Sequence, residues 1–192
     1  MSQNTPTPTP TPTPDDTRVI ADTVEWLEKA VIGLNLCPFA KAVHVKAQIR
    51  YVVSAATTPE ALLEDLVKEL ETLAEASPEK IETTLLIHPQ VLGDFMDYND
   101  FLDVADAAVE ELQLDGILQV ASFHPDYQFD ETHIDDIENY SNRAPYPTLH
   151  LLREDSIDAA VAAFPDAGDI YERNIETLKA LGQAGWKRLF TR

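Results

Sequence analysis

The sequence predicts an α/β or α+β fold: a mixed sheet of about four strands with helices packed on it. Three observations carry this. Short runs rich in Val, Ile, Leu and Thr alternate with longer stretches whose apolar residues recur at helical spacing. The first three strands are joined by helical stretches, which implies crossover connections and parallel pairing among them. The fourth strand follows a loop instead of a helix, so an antiparallel return beside the third strand is expected.

The elements follow in order. Residues 1–15 carry a Thr-Pro repeat. Proline at every second position removes backbone donors and favours an extended chain, so this segment is read as a disordered tail and 16–192 as a single globular domain. A first helix is expected from Asp16 to Leu34, with Val19, Val24, Leu27 and Val31 on its apolar stripe and Gly33 and Asn35 as stop residues. The apolar turn Leu36-Cys37-Pro38-Phe39-Ala40 must then pack against something. Gln48–Ser54 reads as the first strand. Thr58 can cap the next helix, Pro59 suits its first turn, and Leu63, Leu66, Leu70 and Leu73 form a stripe before Ser77-Pro78 ends it. Thr83–His88 reads as the second strand. Asn99 or Asp100 is the expected cap of a third helix. Ile117–Phe123 is the third strand and Thr148–Arg153 the fourth. A short alanine-rich helix should start near Asp155 or Ser156, break at Pro165-Asp166, and give way to a last helix from Gly168 to Leu181. Trp186, Leu189 and Phe190 follow as an apolar coda.

Composition narrows the function. The chain has 192 residues, 44% of them hydrophobic, enough for one sizeable core. Its formal net charge is -20, with 34 acids against 14 bases. Such a field repels phosphate backbones and anionic lipid surfaces, which disfavours nucleic-acid and membrane partners and leaves a small-molecule ligand. A single cysteine allows no internal disulfide, and no run approaches the roughly 20 apolar residues of a membrane span. A cytoplasmic location is expected. Composition leaves the oligomeric state open.

The chemistry-bearing residues gather at predicted strand ends. Two strands close alike, as Leu86-Ile87-His88-Pro89 and as Ser122-Phe123-His124-Pro125. The carboxyl ends of parallel strands share one edge of a sheet, where ligands bind. An antiparallel fourth strand would begin at that edge, bringing His150 toward His88 and His124. Imidazoles titrate near neutrality, so His124 and His88 are candidate proton carriers. Cys37 is the one thiol, a candidate nucleophile or a buried apolar residue. The connection from Ser122 to Glu154 is long for a loop in a compact domain, and such loops, when ordered, are usually functional. It supplies candidate ligand-binding residues: Tyr127, Asn139, Asn142, Arg143 and Tyr146, joined by His150 and Arg153 on the fourth strand. The two arginines can grip a carboxylate or phosphate, or pair with the abundant acids. The acids Asp130, Glu131, Asp135, Asp136 and Glu138 read as a solvated face.

These residues also resemble a known family. Gly33-Leu34-Asn35-Leu36-Cys37-Pro38-Phe39-Ala40, the two His-Pro strand ends, Asp126-Tyr127-Gln128-Phe129 and Arg143-Ala144-Pro145-Tyr146-Pro147-Thr148-Leu149-His150-Leu151-Leu152-Arg153 are similar to the DUF1415 family of bacteria and plants. The similarity runs from about Thr17 to Phe190. The family is a domain of unknown function, so the resemblance implies a self-contained domain but no reaction, cofactor or catalytic residue.

Three functions remain open at this level. One is an enzyme acting on a small anionic molecule in a histidine-rimmed pocket under the 124–147 loop. The second is a metal- or haem-binding protein using His88, His124 and His150, although no compact ligand signature is present and no cofactor is indicated. The third is a non-catalytic acidic interaction module.

Overall fold

The computed structural model describes residues 14–163 and 169–191. Residues 1–13 of the expected tail and the Pro165-Asp166 break lie outside the described residues, whereas Pro14 and Asp15, expected in the tail, open the first helix. Six α-helices and a four-stranded mixed sheet are formed: α1 (Pro14–Trp26), α2 (Ala40–Val45), β1 (Ile49–Val53), α3 (Pro59–Glu75), β2 (Thr83–Ile87), α4 (Phe95–Glu111), β3 (Leu118–Phe123), β4 (Thr148–Arg153), α5 (Glu154–Ala163) and α6 (Ile170–Leu189). A π-helical turn, Leu27–Ile32, continues α1, and a 3-10 turn, Ile137–Ser141, interrupts the long loop.

The strand order is β1-β2-β4-β3. Only β1 and β2 pair in parallel; β4 lies antiparallel to both β2 and β3. The expected parallel pairing of three strands is therefore not formed. The fourth strand does return beside the third, but it also takes the place beside β2, and the α4 connection carries the chain past it. Composition explains the choice. The Thr-Thr-Leu-Leu-Ile of β2 is buried throughout, and β4 is the other strand with a buried majority in its first four residues, so these two sit centrally. The outer strands carry Arg50 and Gln119 and are less covered.

Side chains alternate between the two faces. One face presents Val52, Leu86, Leu118, Val120, Leu149 and Leu151 to α3 and α4, whose Leu62, Leu66, Leu70, Leu73, Phe101 and Ala105 complete the main core. Arg50 reaches across this face to Glu69 of α3 with two hydrogen bonds of 2.7 and 3.1 Å, giving a partly buried bidentate pair. The other face presents Ile49, Tyr51 and Phe123 to Trp26, Leu27, Val31, Leu36, Leu178 and Trp186, drawn from the N-terminal segment and α6.

Caps set the boundaries. Thr58 accepts from the Ala61 N–H and Pro59 opens α3, as the sequence predicts. The cap of α4 differs from expectation: Asp94, not Asn99 or Asp100, accepts from the N–H groups of Met96 and Asp97. The helix starts earlier because Phe95 and Tyr98 are needed against the sheet. Asn35 stops the first helical segment with a left-handed φ of 54°. The expected last helix and its apolar coda merge into α6, kinked at Gly182. The turn after Cys37 folds into the short α2, which periodicity did not reveal.

Candidate functional site

His88 and His124 follow β2 and β3 on the α4 face of the sheet. Both are fully buried, and both rings lie against Tyr98 of α4, with centroid distances of 5.7 and 5.1 Å. Their nitrogens serve the loop between β2 and α4. His88 Nδ1 donates to the Val91 carbonyl at 3.0 Å, and His124 Nε2 donates to the Leu92 carbonyl at 3.2 Å. Leu92 has a left-handed φ of 56°, which the second bond helps to hold. His124 Nδ1 accepts from the Asp126 N–H at 3.0 Å, so both of its nitrogens are engaged by backbone. His88 Nε2 is buried without a partner among the described residues. Burial pushes the His88 imidazole down to about 4, helped by the neighbouring His124, and burial also lowers His124. Tyr98 completes the cluster: its hydroxyl donates to the Thr148 carbonyl and accepts from the Phe123 N–H.

The 124–147 loop is organised by its own polar side chains. Asn139 is fully buried, accepts from the Phe129 N–H and the Thr132 hydroxyl, and donates to the His133 carbonyl. Asn142 donates to the Ser122 carbonyl. Arg143 donates to the carbonyls of Tyr127 and Ile134 and lies 4.5 Å above the Tyr140 ring. Tyr127 packs between Phe95 and Phe129, and the Tyr146 hydroxyl donates to Asp22 of α1 at 2.8 Å. The loop thus borders a cleft of about 470 Å³ with α1 and α6, lined by Tyr140, Arg143, Tyr146 and Trp186 together with Asp22 and Glu25. None of the three strand histidines is among the residues lining it. Arg153, at the end of β4, donates to the carbonyls of Leu73, Ala76 and Ile81 and ties the end of α3 to the sheet, while its Nε is buried without a partner among the described residues.

A larger cavity, about 600 Å³, opens on the opposite face of the sheet. Its floor is Thr83, Leu85, Ala121, Phe123, His150 and Leu152. Its walls are Trp26, Leu27 and Val31, then the segment Cys37 to Val43, then Ser156, Ile157 and Ala160 of α5. Its lining includes four small residues, Ala40, Ala42, Ala121 and Ala160. No residue of the 124–147 loop is among those lining it. The wall includes the π-helical turn, a geometry that often marks functional sites. Gly33 closes that turn so tightly that a Cβ there would collide with the Lys29 carbonyl oxygen.

His150 is one of the polar groups that line this cavity. Its Nε2 lies 2.7 Å from Thr83 Oγ1, which lies 2.6 Å from the Leu151 carbonyl. No described residue hydrogen-bonds Nδ1. The ring sits 5.9 Å from Phe123, which Trp26 meets edge-on at 5.2 Å. Burial alone pushes His150 down to about 4, so it is a neutral base at ordinary pH.

The expected convergence of His88, His124 and His150 does not occur. Thr148 pairs with Ile87 and Phe123, one residue before each strand-end histidine. Strict alternation then places His150, two residues on, on the face shared with Leu85 and Ala121, while His88 and His124 turn to the other face. The sheet separates them. Among the described residues no group of three or more His, Cys, Asp or Glu is placed to hold a metal ion. His150 and Cys37, in contrast, share one cavity.

The DUF1415 family profile, described as a protein of unknown function, matches residues 18–188. The chain belongs to the DUF1415 family. No curated protein and no solved structure matches it. The stretches of this DUF1415 chain that carry the resemblance contribute to both regions: Cys37 to Ala40 and β4 border the cavity, and Arg143 to Tyr146 border the cleft. Sequence reasoning missed Trp26, Thr83 and Phe123 as site residues. Each reads locally as core or strand, and none carries a signal beyond its apolar or β-forming character. Among the described residues no helix is long and apolar enough to cross a membrane.

Proposed function

We propose that this DUF1415 protein binds a small, largely apolar molecule in the cavity between the sheet, the π-helical turn, α2 and α5. One observation supports it above the rest: a hydrocarbon-walled void of about 600 Å³ holding an unengaged, neutral imidazole nitrogen. That combination of apolar wall and few directed polar groups is what small-molecule sites use, and the volume is within their usual range. The reading departs from an anionic substrate because Arg143 and Arg153 already donate to backbone carbonyls.

Cys37 supports a second, catalytic reading. A thiol sharing a cavity with a neutral imidazole is the pairing from which thiol nucleophiles are made, with His150 as base. His88 and His124 are then supports for the β2–α4 loop and not proton carriers.

The lone thiol also makes the test simple. Purified protein is extracted with organic solvent and the extract analysed by mass spectrometry, and apolar compounds are screened by thermal shift. A ligand of the cavity should raise the melting temperature and slow alkylation of Cys37. Ala121→Trp, which fills the void, should abolish both effects while the protein stays folded. The reading is overturned if no cavity-sized apolar compound changes melting or alkylation.

A further inference from the structure

We infer that the cavity selects ligands whose polar end donates a hydrogen bond, such as an alcohol, a phenol or an amide, because Thr83 fixes His150 as its Nε2–H tautomer. The inference rests on the cavity being a ligand site and goes on to name the chemistry of the ligand.

The Thr83 hydroxyl carries one proton and contacts two groups, the Leu151 carbonyl at 2.6 Å and His150 Nε2 at 2.7 Å. A carbonyl oxygen only accepts, so the hydroxyl proton goes to Leu151. The short contact with Nε2 is then a hydrogen bond only if Nε2 carries the proton and Thr83 Oγ1 accepts it. A neutral imidazole with hydrogen on Nε2 has a bare lone pair on Nδ1. Thr83 is held in turn by its place on β2 beside β4, so the arrangement is built into the sheet and precedes any ligand. A donor entering the cavity completes the chain from ligand to His150 to Thr83 to Leu151. An acceptor meets a lone pair instead.

A carboxylate fares worst. It brings no proton to Nδ1, it loses its hydration among hydrocarbon walls, and Glu82 borders the same cavity within a chain of net charge -20. Arg153 also borders the cavity but is committed to the end of α3. Thr83 is thus a positioning residue, acting on the ligand through His150.

Three probes of one length separate the cases: decan-1-ol, its isomer 1-methoxynonane, which accepts but cannot donate, and decanoate. Protection of Cys37 from alkylation and thermal shift are measured at pH 8 on the full chain. Decan-1-ol should protect at concentrations at least tenfold below the other two. His150→Phe should abolish that preference while keeping the cavity walled. Thr83→Val should shrink it, because the imidazole is then free to carry its proton on Nδ1. Side-chain ¹⁵N NMR of the free protein gives an independent reading: Nδ1 of His150 should show the unprotonated shift, and Thr83→Val should mix the tautomers. Equal protection by all three probes, or a preference for the ether or the carboxylate, overturns the donor rule and leaves the cavity reading standing. Protection by none of them overturns both.

Discussion

Each strand histidine is defined by what its two nitrogens touch. His124 is satisfied on both sides by backbone, His88 on one side, and His150 on one side by Thr83. This has a pH consequence for the two held near 4, His88 and His150, against an ordinary value of 6.5. Unfolding exposes them, and below about pH 6.5 the unfolded chain takes up protons that the folded chain refuses. Their contribution to stability is complete above that pH and is lost as the pH falls toward 4, by up to about 1.4 kcal/mol per pH unit for each histidine. Urea unfolding at pH 7, 6 and 5 should show a shallower decline for His88→Gln than for the wild type. Parallel curves would mean that His88 titrates freely. Tyr98 gives a second prediction at this scale. Tyr98→Phe leaves the Thr148 carbonyl and the Phe123 N–H without their partner and should cost about 1–3 kcal/mol in the same assay. His88 and His124 were legible at strand ends and His150 within the fourth strand. Their faces were not, because the face depends on a register that no local pattern of Thr148 to Arg153 records.

The elements show where local rules suffice. Thr58 and Pro59 announce the start of α3, and the structure uses both. The π-helical turn shows the opposite case. Leu27 to Ile32 reads as ordinary amphipathic helix, and its wider geometry becomes visible only with Trp26, Leu27 and Val31 placed against the sheet. Gly33→Ala should test it. The added Cβ meets backbone and not a movable side chain, so the variant should lose about 1–3 kcal/mol of stability and weaken ligand protection of Cys37. Unchanged melting would show that the turn relaxes freely. The Arg50–Glu69 pair links β1 to α3 at a carboxylate that is almost wholly buried. Arg50→Met strands that charge and should destabilise by about 3–5 kcal/mol, whereas the double variant with Glu69→Met should recover much of the loss. Failure of the double variant to recover would assign the effect to packing.

The whole molecule sets a strongly acidic surface around an apolar interior. With a net charge of -20 the folded state repels itself, so thermal stability should rise as sodium chloride is increased from a few millimolar to about 0.5 M, where the screening length falls to a few ångströms. A flat melting temperature over that range would show that the acids are already neutralised by their arrangement. The amino-acid sequence determined the four strands and the longer helices in their order, the cap of α3 and the family. Those rest on periodicity, turn chemistry and long local motifs, all short-range properties of the chain. Tertiary structure alone decided that β4 stands between β2 and β3, that His150 faces away from His88 and His124, and that Cys37 and His150 border one void. Strand order and register are set by pairing between residues tens of positions apart, and a cavity is a failure of distant side chains to meet, which no single segment encodes.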